Sequence, residues 1–101
     1  MEEIKKEDFD TCIAGDDVLV QFSASWCGPC KMLTRVLEKI QGECDVKFVK
    51  IDIDEASDLA ASFGIRSVPT MIYFRAGQEV SRTMGAKPEQ KVKEFIDRCA
   101  E

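Results

Sequence analysis

The sequence predicts an α/β fold, a central mixed β-sheet with helices on both of its faces. Three observations predict it. Through the first two thirds of the chain, strand-like runs alternate with segments of helical period, which implies parallel strands joined by helical crossovers. Two later strand-like runs are separated by Ala76-Gly77, a turn pair that adds an antiparallel hairpin. The chain has 101 residues, 45% hydrophobic and 33% charged, a size and balance that suit one core and one domain spanning 1–101.

The elements follow in order. Phe9, Cys12 and Ile13 fall on one face of a short helix, which Gly15-Asp16-Asp17 ends. Residues 18–22, Val-Leu-Val-Gln-Phe, are too short and too β-branched for a helix and read as a central strand. After Trp26-Cys27-Gly28-Pro29-Cys30 the period changes. Leu33, Val36, Leu37 and Ile40 repeat as in an amphipathic helix that begins near Cys27 and stops at Gly42. Residues 46–51 form a second strand, and 56–63 a brief helix closed by Gly64. Residues 70–74 and 79–83 make the hairpin. Pro88 suits the first turn of a last helix, with Val92, Phe95, Ile96 and Cys99 on one face.

Composition removes several functions. Fourteen basic against nineteen acidic residues give a formal charge of −5. That balance disfavours nucleic acid as a partner, because such binding is driven by Lys and Arg neutralising phosphates. The chain has no histidine, which excludes Ser-His-Asp and Cys-His catalysis and every His-containing zinc site. No apolar run approaches the ~20 residues that span a bilayer. The first residues, Met-Glu-Glu-Ile-Lys-Lys, resemble neither a secretory signal nor a transit peptide. A soluble, cytoplasmic protein with no membrane partner is the expectation.

Five cysteines are an odd set for a secreted disulfide framework. Only Cys27 and Cys30 are close neighbours. Their C-x-x-C spacing leaves a strand and enters a helix, placing Cys27 at the helix N-terminus. Unpaired N–H groups and the positive end of the helix dipole favour a thiolate there, and the thiolate is the nucleophile. Gly28 allows a tight turn, and Pro29 fits a first turn where its missing N–H costs nothing. Cys30 stands about one turn on, where its sulfur can meet that of Cys27. The implied chemistry has two steps. Cys27 attacks a substrate disulfide, then Cys30 attacks Cys27 and releases the reduced substrate. Trp26 would shield the sulfur and offer an apolar contact. The competing reading of C-x-x-C is half of a zinc knuckle. Its other ligands would have to come from Cys12, Cys44 and Cys99, which are scattered, and two of which sit on apolar helix faces.

Trp-Cys-Gly-Pro-Cys-Lys at 26–31, after an apolar strand, resembles the active site of the thioredoxin family. The similarity extends through Phe-Val-Lys-Ile-Asp-Ile-Asp at 48–54, Phe-Gly-Ile-Arg-Ser-Val-Pro-Thr at 63–70 and Gly85. It implies a thioredoxin fold and a protein-disulfide reductase that binds no cofactor. Electrons would come from NADPH through a thioredoxin reductase, and the substrates would be disulfide-containing proteins such as peroxiredoxins or reductases, met by a monomer. It also implies a cis peptide before Pro69, which would face the disulfide and present the Val68 carbonyl edge to an extended substrate. Without the resemblance, Pro69 merely starts a strand. Trp26, Gly28, Pro29, Val68, Pro69, Gly85 and Ala86 would then form a flat apolar docking patch around Cys27. For Gly85 and Ala86 a plain strand-to-helix turn is an equally ordinary reading. Lys50 has two readings: in the family a lysine here lies under the active site, whereas strand alternation makes it solvent-facing.

Three departures stand out. Gln21 occupies the central-strand position where the family usually has an aspartate assigned to deprotonating the second cysteine. An amide cannot take up a proton usefully near neutral pH, so Gln21 is no general base, though it can hold a water. Slower release by Cys30 is therefore expected. Arg35 replaces a helix-kinking proline, so the long helix should run straighter. Cys12, Cys44 and Cys99 lie outside the catalytic motif, and Cys99 is expected to be buried. Two rival functions remain: a thioredoxin-like module that only grips a partner, which Gln21 would suit, and an oxidase or isomerase. Gly-Pro between the cysteines resembles the reducing branch, and differs from the Pro-Tyr of the glutathione-linked one.

Overall fold

The computed structural model describes residues 1–101. Five strands form one mixed sheet: β1 (Glu2–Glu3), β2 (Val18–Ser23), β3 (Lys47–Asp52), β4 (Thr70–Arg75) and β5 (Gln78–Met84), in the order β1-β3-β2-β4-β5. β3 runs parallel to β1 and β2, while β4 is antiparallel to β2 and β5 to β4. Four helices accompany it: α1 (Phe9–Ile13), α2 (Gly28–Ile40), α3 (Ser57–Ser62) and α4 (Glu89–Ala100).

Alternation along the strands sorts the core into two layers. Leu19, Met71 and Tyr73 pack with Leu33, Leu37 and Ile40 of α2 and Val92, Phe95 and Ile96 of α4. Val20, Phe22, Val49 and Ile72 face the other way, onto Phe9 and Ile13 of α1 and Ala56 beside α3. Each fully buried Leu or Phe contributes about 1.5–3 kcal/mol by leaving water. β2 lies in the middle and is buried at its first five positions, as a strand covered on both faces must be.

Several expectations need adjusting. Sequence periodicity predicts no strand before the first helix, whereas β1 stands there. β1 has only two residues, both glutamates, and no periodicity can announce it. It forms because Ile4 is buried and its N–H donates to the Lys50 carbonyl at 2.9 Å, and an edge strand tolerates charge on its open side. α2 ends at Ile40, and a 3-10 turn over Gln41–Glu43 carries the chain past Gly42. Pro88 is the residue before α4 and not in its first turn. Its ψ of 160° is extended, and its carbonyl accepts from the N–H groups of Lys91 and Val92. α2 is unbroken through Arg35. The hairpin turns at Ala76 and Gly77, with φ of 51° and 80°, and their N–H groups are tied to the carbonyls of Gly15 and Ile13.

Candidate active site

The cysteine pair sits where β2 gives way to α2. Cys27 is the N-cap of α2, in extended conformation, and Pro29 occupies the first turn. The Cys30 N–H donates to Cys27 Sγ at 3.1 Å, the bond a capping side chain makes to an unpaired helix N–H. Cys27 and Cys30 form a disulfide, with Cα atoms 5.3 Å apart. Both residues are buried, at 5% and 1% exposure, packed against Ala24, Ile53 and Val68.

A second segment meets them from across the sheet. The Val68–Pro69 peptide is cis, in line with the expectation for this bond. The Val68 carbonyl oxygen lies 3.8 Å from Cys27 Sγ, and the Pro69 carbonyl accepts from the Gly85 N–H at 2.8 Å. Gly85 has φ of 89°, a conformation glycine adopts without steric cost. Cys27, Val68, Pro69 and Gly85 are thereby linked in sequence. Around them Trp26, Gly28, Pro29 and Ala86 are exposed, Val68 and Gly85 are half-buried, and Pro69 is buried. Of the residues expected in a docking patch, Pro69 alone is therefore withdrawn from the surface. Trp26 is 68% exposed and its indole N–H donates to Asp54 Oδ2 at 2.9 Å, which pins the ring beside the cysteines.

Behind the pair, Gln21 is completely buried. Its Nε2 donates to the Cys30 carbonyl at 3.0 Å, and its Oε1 accepts from the Thr34 hydroxyl at 3.0 Å. Protein groups therefore hold the amide directly at both ends. Lys50 stands opposite Gln21 in the β2–β3 register. Its side chain is 30% exposed and lies 3.9 Å from a Glu3 carboxylate oxygen. It lines a cleft of about 450 Å³ with Ser23, Lys31, Thr34, Arg35 and Asp52. Lys50 is thus part-exposed and shares a cleft with Thr34 of α2.

The remaining cysteines stand apart. Cys12 and Cys44 are half-buried and Cys99 is buried on α4. Burial pushes the thiols of Cys12 and Cys99 up from their ordinary value. No three His, Cys, Asp or Glu side chains converge as metal ligands. Asp54, which anchors Trp26, and Thr34, which anchors Gln21, carry no catalytic motif in the sequence. Thr34 had a signal, its position four residues after Cys30 on the same helix face.

A fold of this kind, with paired sulfurs at a helix N-terminus beneath a cis-proline loop, defines a thiol–disulfide oxidoreductase. The thioredoxin family profile matches residues 1–98. The chain is 44% identical over 98 residues to a thioredoxin of Chlamydia pneumoniae, covering 96% of each. It is 43% identical over 84 residues to thioredoxin-2 of Saccharomyces cerevisiae, covering 80% of this chain and 81% of that one. An asparagine-to-glutamine mutant of thioredoxin from Halobacterium salinarum superposes with a TM-score of 0.90 at 35% identity, covering 99% of this chain and 90% of that one. The chain belongs to the thioredoxin family. Proteins of this family are disulfide reductases and need no bound cofactor.

Proposed function

We propose that Cys27 is the nucleophile and Cys30 the resolving thiol of a dithiol carrier that reduces disulfides in other proteins. The observation that carries this is the capping bond from the Cys30 N–H to Cys27 Sγ. In the dithiol form that donor and the α2 N-terminus favour negative charge on Cys27. Cys27 attacks one substrate sulfur, and the other substrate sulfur leaves as a thiolate. Cys30 then attacks Cys27, the Cys27–Cys30 disulfide forms, and the first substrate sulfur leaves.

The other roles are assigned with it. Trp26, Val68, Pro69, Gly85 and Ala86 dock an extended substrate segment, whose backbone pairs with Val68. Gly28 and Pro29 shape the first turn of α2, and Gln21 and Lys50 support the pair from behind. The electrons come from NADPH through a thioredoxin reductase. Peroxiredoxins and reductases that cycle through a disulfide are the class of substrate, met by a single-domain monomer in the cytoplasm.

The test couples the reduced protein to NADPH and a thioredoxin reductase with a model protein disulfide, and follows NADPH loss. Steady turnover by the wild type, and none by Cys27→Ser, is expected. Absence of turnover from folded wild-type protein would point to a partner-gripping module instead.

A further inference from the structure

A threonine inside a helix either points its hydroxyl to solvent or turns it back onto the carbonyl four residues earlier. For Thr34 that carbonyl belongs to Cys30. Here the hydroxyl donates to Gln21 Oε1 instead, and Gln21 Nε2 donates to the Cys30 carbonyl. The glutamine amide is inserted between the two ends of one helical turn. Because Gln21 is 0% exposed, neither end of its amide can turn to water. Reversing the amide would set Oε1 against the Cys30 oxygen, acceptor facing acceptor. Only one orientation therefore satisfies both ends: the Cys30 carbonyl, which can only accept, selects it, and the Thr34 hydroxyl donates to the other end. In that orientation the NH2 end, the positive end of the side-chain dipole, faces Cys30. The donors run in one direction, Thr34 to Gln21 to Cys30, so each bond polarises the next.

We propose that Thr34 is a positioning residue for the second exchange step, acting through Gln21 on Cys30. The proposal rests on the reading of Cys30 as the resolving thiol. In that step Cys30 gives its proton to solvent and its thiolate attacks Cys27 Sγ. The Cys27–Cys30 bond forms, the bond from Cys27 to the substrate breaks, and the substrate thiolate takes up a proton. The protein dithiol is oxidised and the substrate disulfide reduced. A neutral amide cannot accept the Cys30 proton, but the hydrogen bond it donates to the Cys30 carbonyl offsets the negative end of that carbonyl, which favours the thiolate that remains. The same two hydrogen bonds tie the first two turns of α2 to β2, which keeps Cys30 aimed at Cys27.

Stopped-flow fluorescence of Trp26, the only tryptophan, tests this when reduced protein is mixed with excess insulin as the disulfide. The attack phase depends on insulin concentration, and the resolving phase does not. Thr34→Val should slow the resolving phase about tenfold, the effect of leaving a buried acceptor without its donor. It should also move the pH midpoint of that phase upward and leave the attack phase unchanged. Thr34→Ser should restore both rate and midpoint, and in a Gln21→Leu background Thr34→Val should add nothing. A folded Thr34→Val with the wild-type rate and midpoint would overturn the proposal, as would a Thr34→Ser that restores neither. Should Thr34→Val fail to fold, Thr34→Ala carries the same two readouts. A resolving phase that persists in Cys30→Ser would refute the resolving role itself, an outcome distinct from failure of the Thr34 relay.

Discussion

Two polar clusters are built toward opposite ends of β2, and they handle charge differently. Near the cysteines, Gln21, Thr34 and the Cys30 carbonyl form a chain with no ionised member. At the other end, Asp17 accepts from the Tyr73 hydroxyl and from two Arg75 nitrogens, at 3.1 and 2.9 Å, and Arg75 also donates to the Cys99 carbonyl. The difference follows water. Gln21 is sealed, whereas the side chains of Asp17 and Arg75 are 26% and 40% exposed. Desolvating a charge costs far more than desolvating an amide that keeps its hydrogen bonds. This chain keeps its ion pair at the rim and gives the interior next to its reactive sulfurs a neutral bridge.

Moving a charge into the sealed cluster is the strongest way to break that contrast. Gln21→Asp should destabilise the protein at neutral pH by about 2–4 kcal/mol, because burial opposes the carboxylate and Thr34 supplies only one donor. The register partner Lys50, part-exposed and near Glu3, offsets only some of this. Burial raises the folded-state pKa of the new carboxyl above its unfolded value. The deficit should thus be absent below about pH 4 and grow as pH rises through the folded value. Urea unfolding of both proteins at acid and neutral pH measures it. A variant as stable as wild type, or more so, at neutral pH would show that the interior accepts charge after all.

The rim cluster responds less, because water compensates there. Tyr73→Phe keeps the ring packed in the core and removes only the hydroxyl, so a loss of about 1 kcal/mol is expected. Tyr73 is the sole tyrosine, so phenolate absorbance reports it alone. Burial, then the hydrogen bond to Asp17, pushes its ionisation up to about 12. The folded value lies above the unfolded one, so the stabilisation is complete below about pH 10. It is lost as pH rises through about 12. A midpoint in the folded protein no higher than that of free tyrosine would break the link between burial and this shift.

The two clusters also mark what a sequence can disclose. Cys27, Cys30 and their helix were legible because spacing, Pro29 and the change of period all lie within fifteen consecutive positions. The cis bond at Pro69 came only through family resemblance, since periodicity carries no information on peptide isomers. The Thr34–Gln21 bridge joins α2 to β2, and the Asp17–Tyr73–Arg75 cluster joins the residue before β2 to β4, so only tertiary packing brings each together. Gln21 announced that a base was missing. What replaced it could be read only from the face that Thr34 presents. β1 was illegible for another reason, because its two glutamates form a strand solely through the edge that β3 offers.

The smallest effect separates the charge of Asp17 from its hydrogen bonds. The Arg75 hydrogen bond, then that of Tyr73, holds the Asp17 carboxyl below the usual carboxylate range. A lowered folded-state value gives stability that is present above the unfolded value and lost as pH falls through the folded one. Asp17→Asn keeps a carbonyl for Tyr73 and removes the charge. It should lower the melting temperature at neutral pH by about 2 °C, since part-exposed ion pairs are weak. The gap to wild type should then begin to close near the unfolded value, about pH 4, and vanish as pH falls through the lower folded one. Glu79, held low by Arg82, continues to shape the acid limb in both proteins, so only their difference isolates Asp17. A gap that persists unchanged at acid pH would assign the loss to geometry, and the rim cluster would then work as the buried one does, by hydrogen bonds without help from charge.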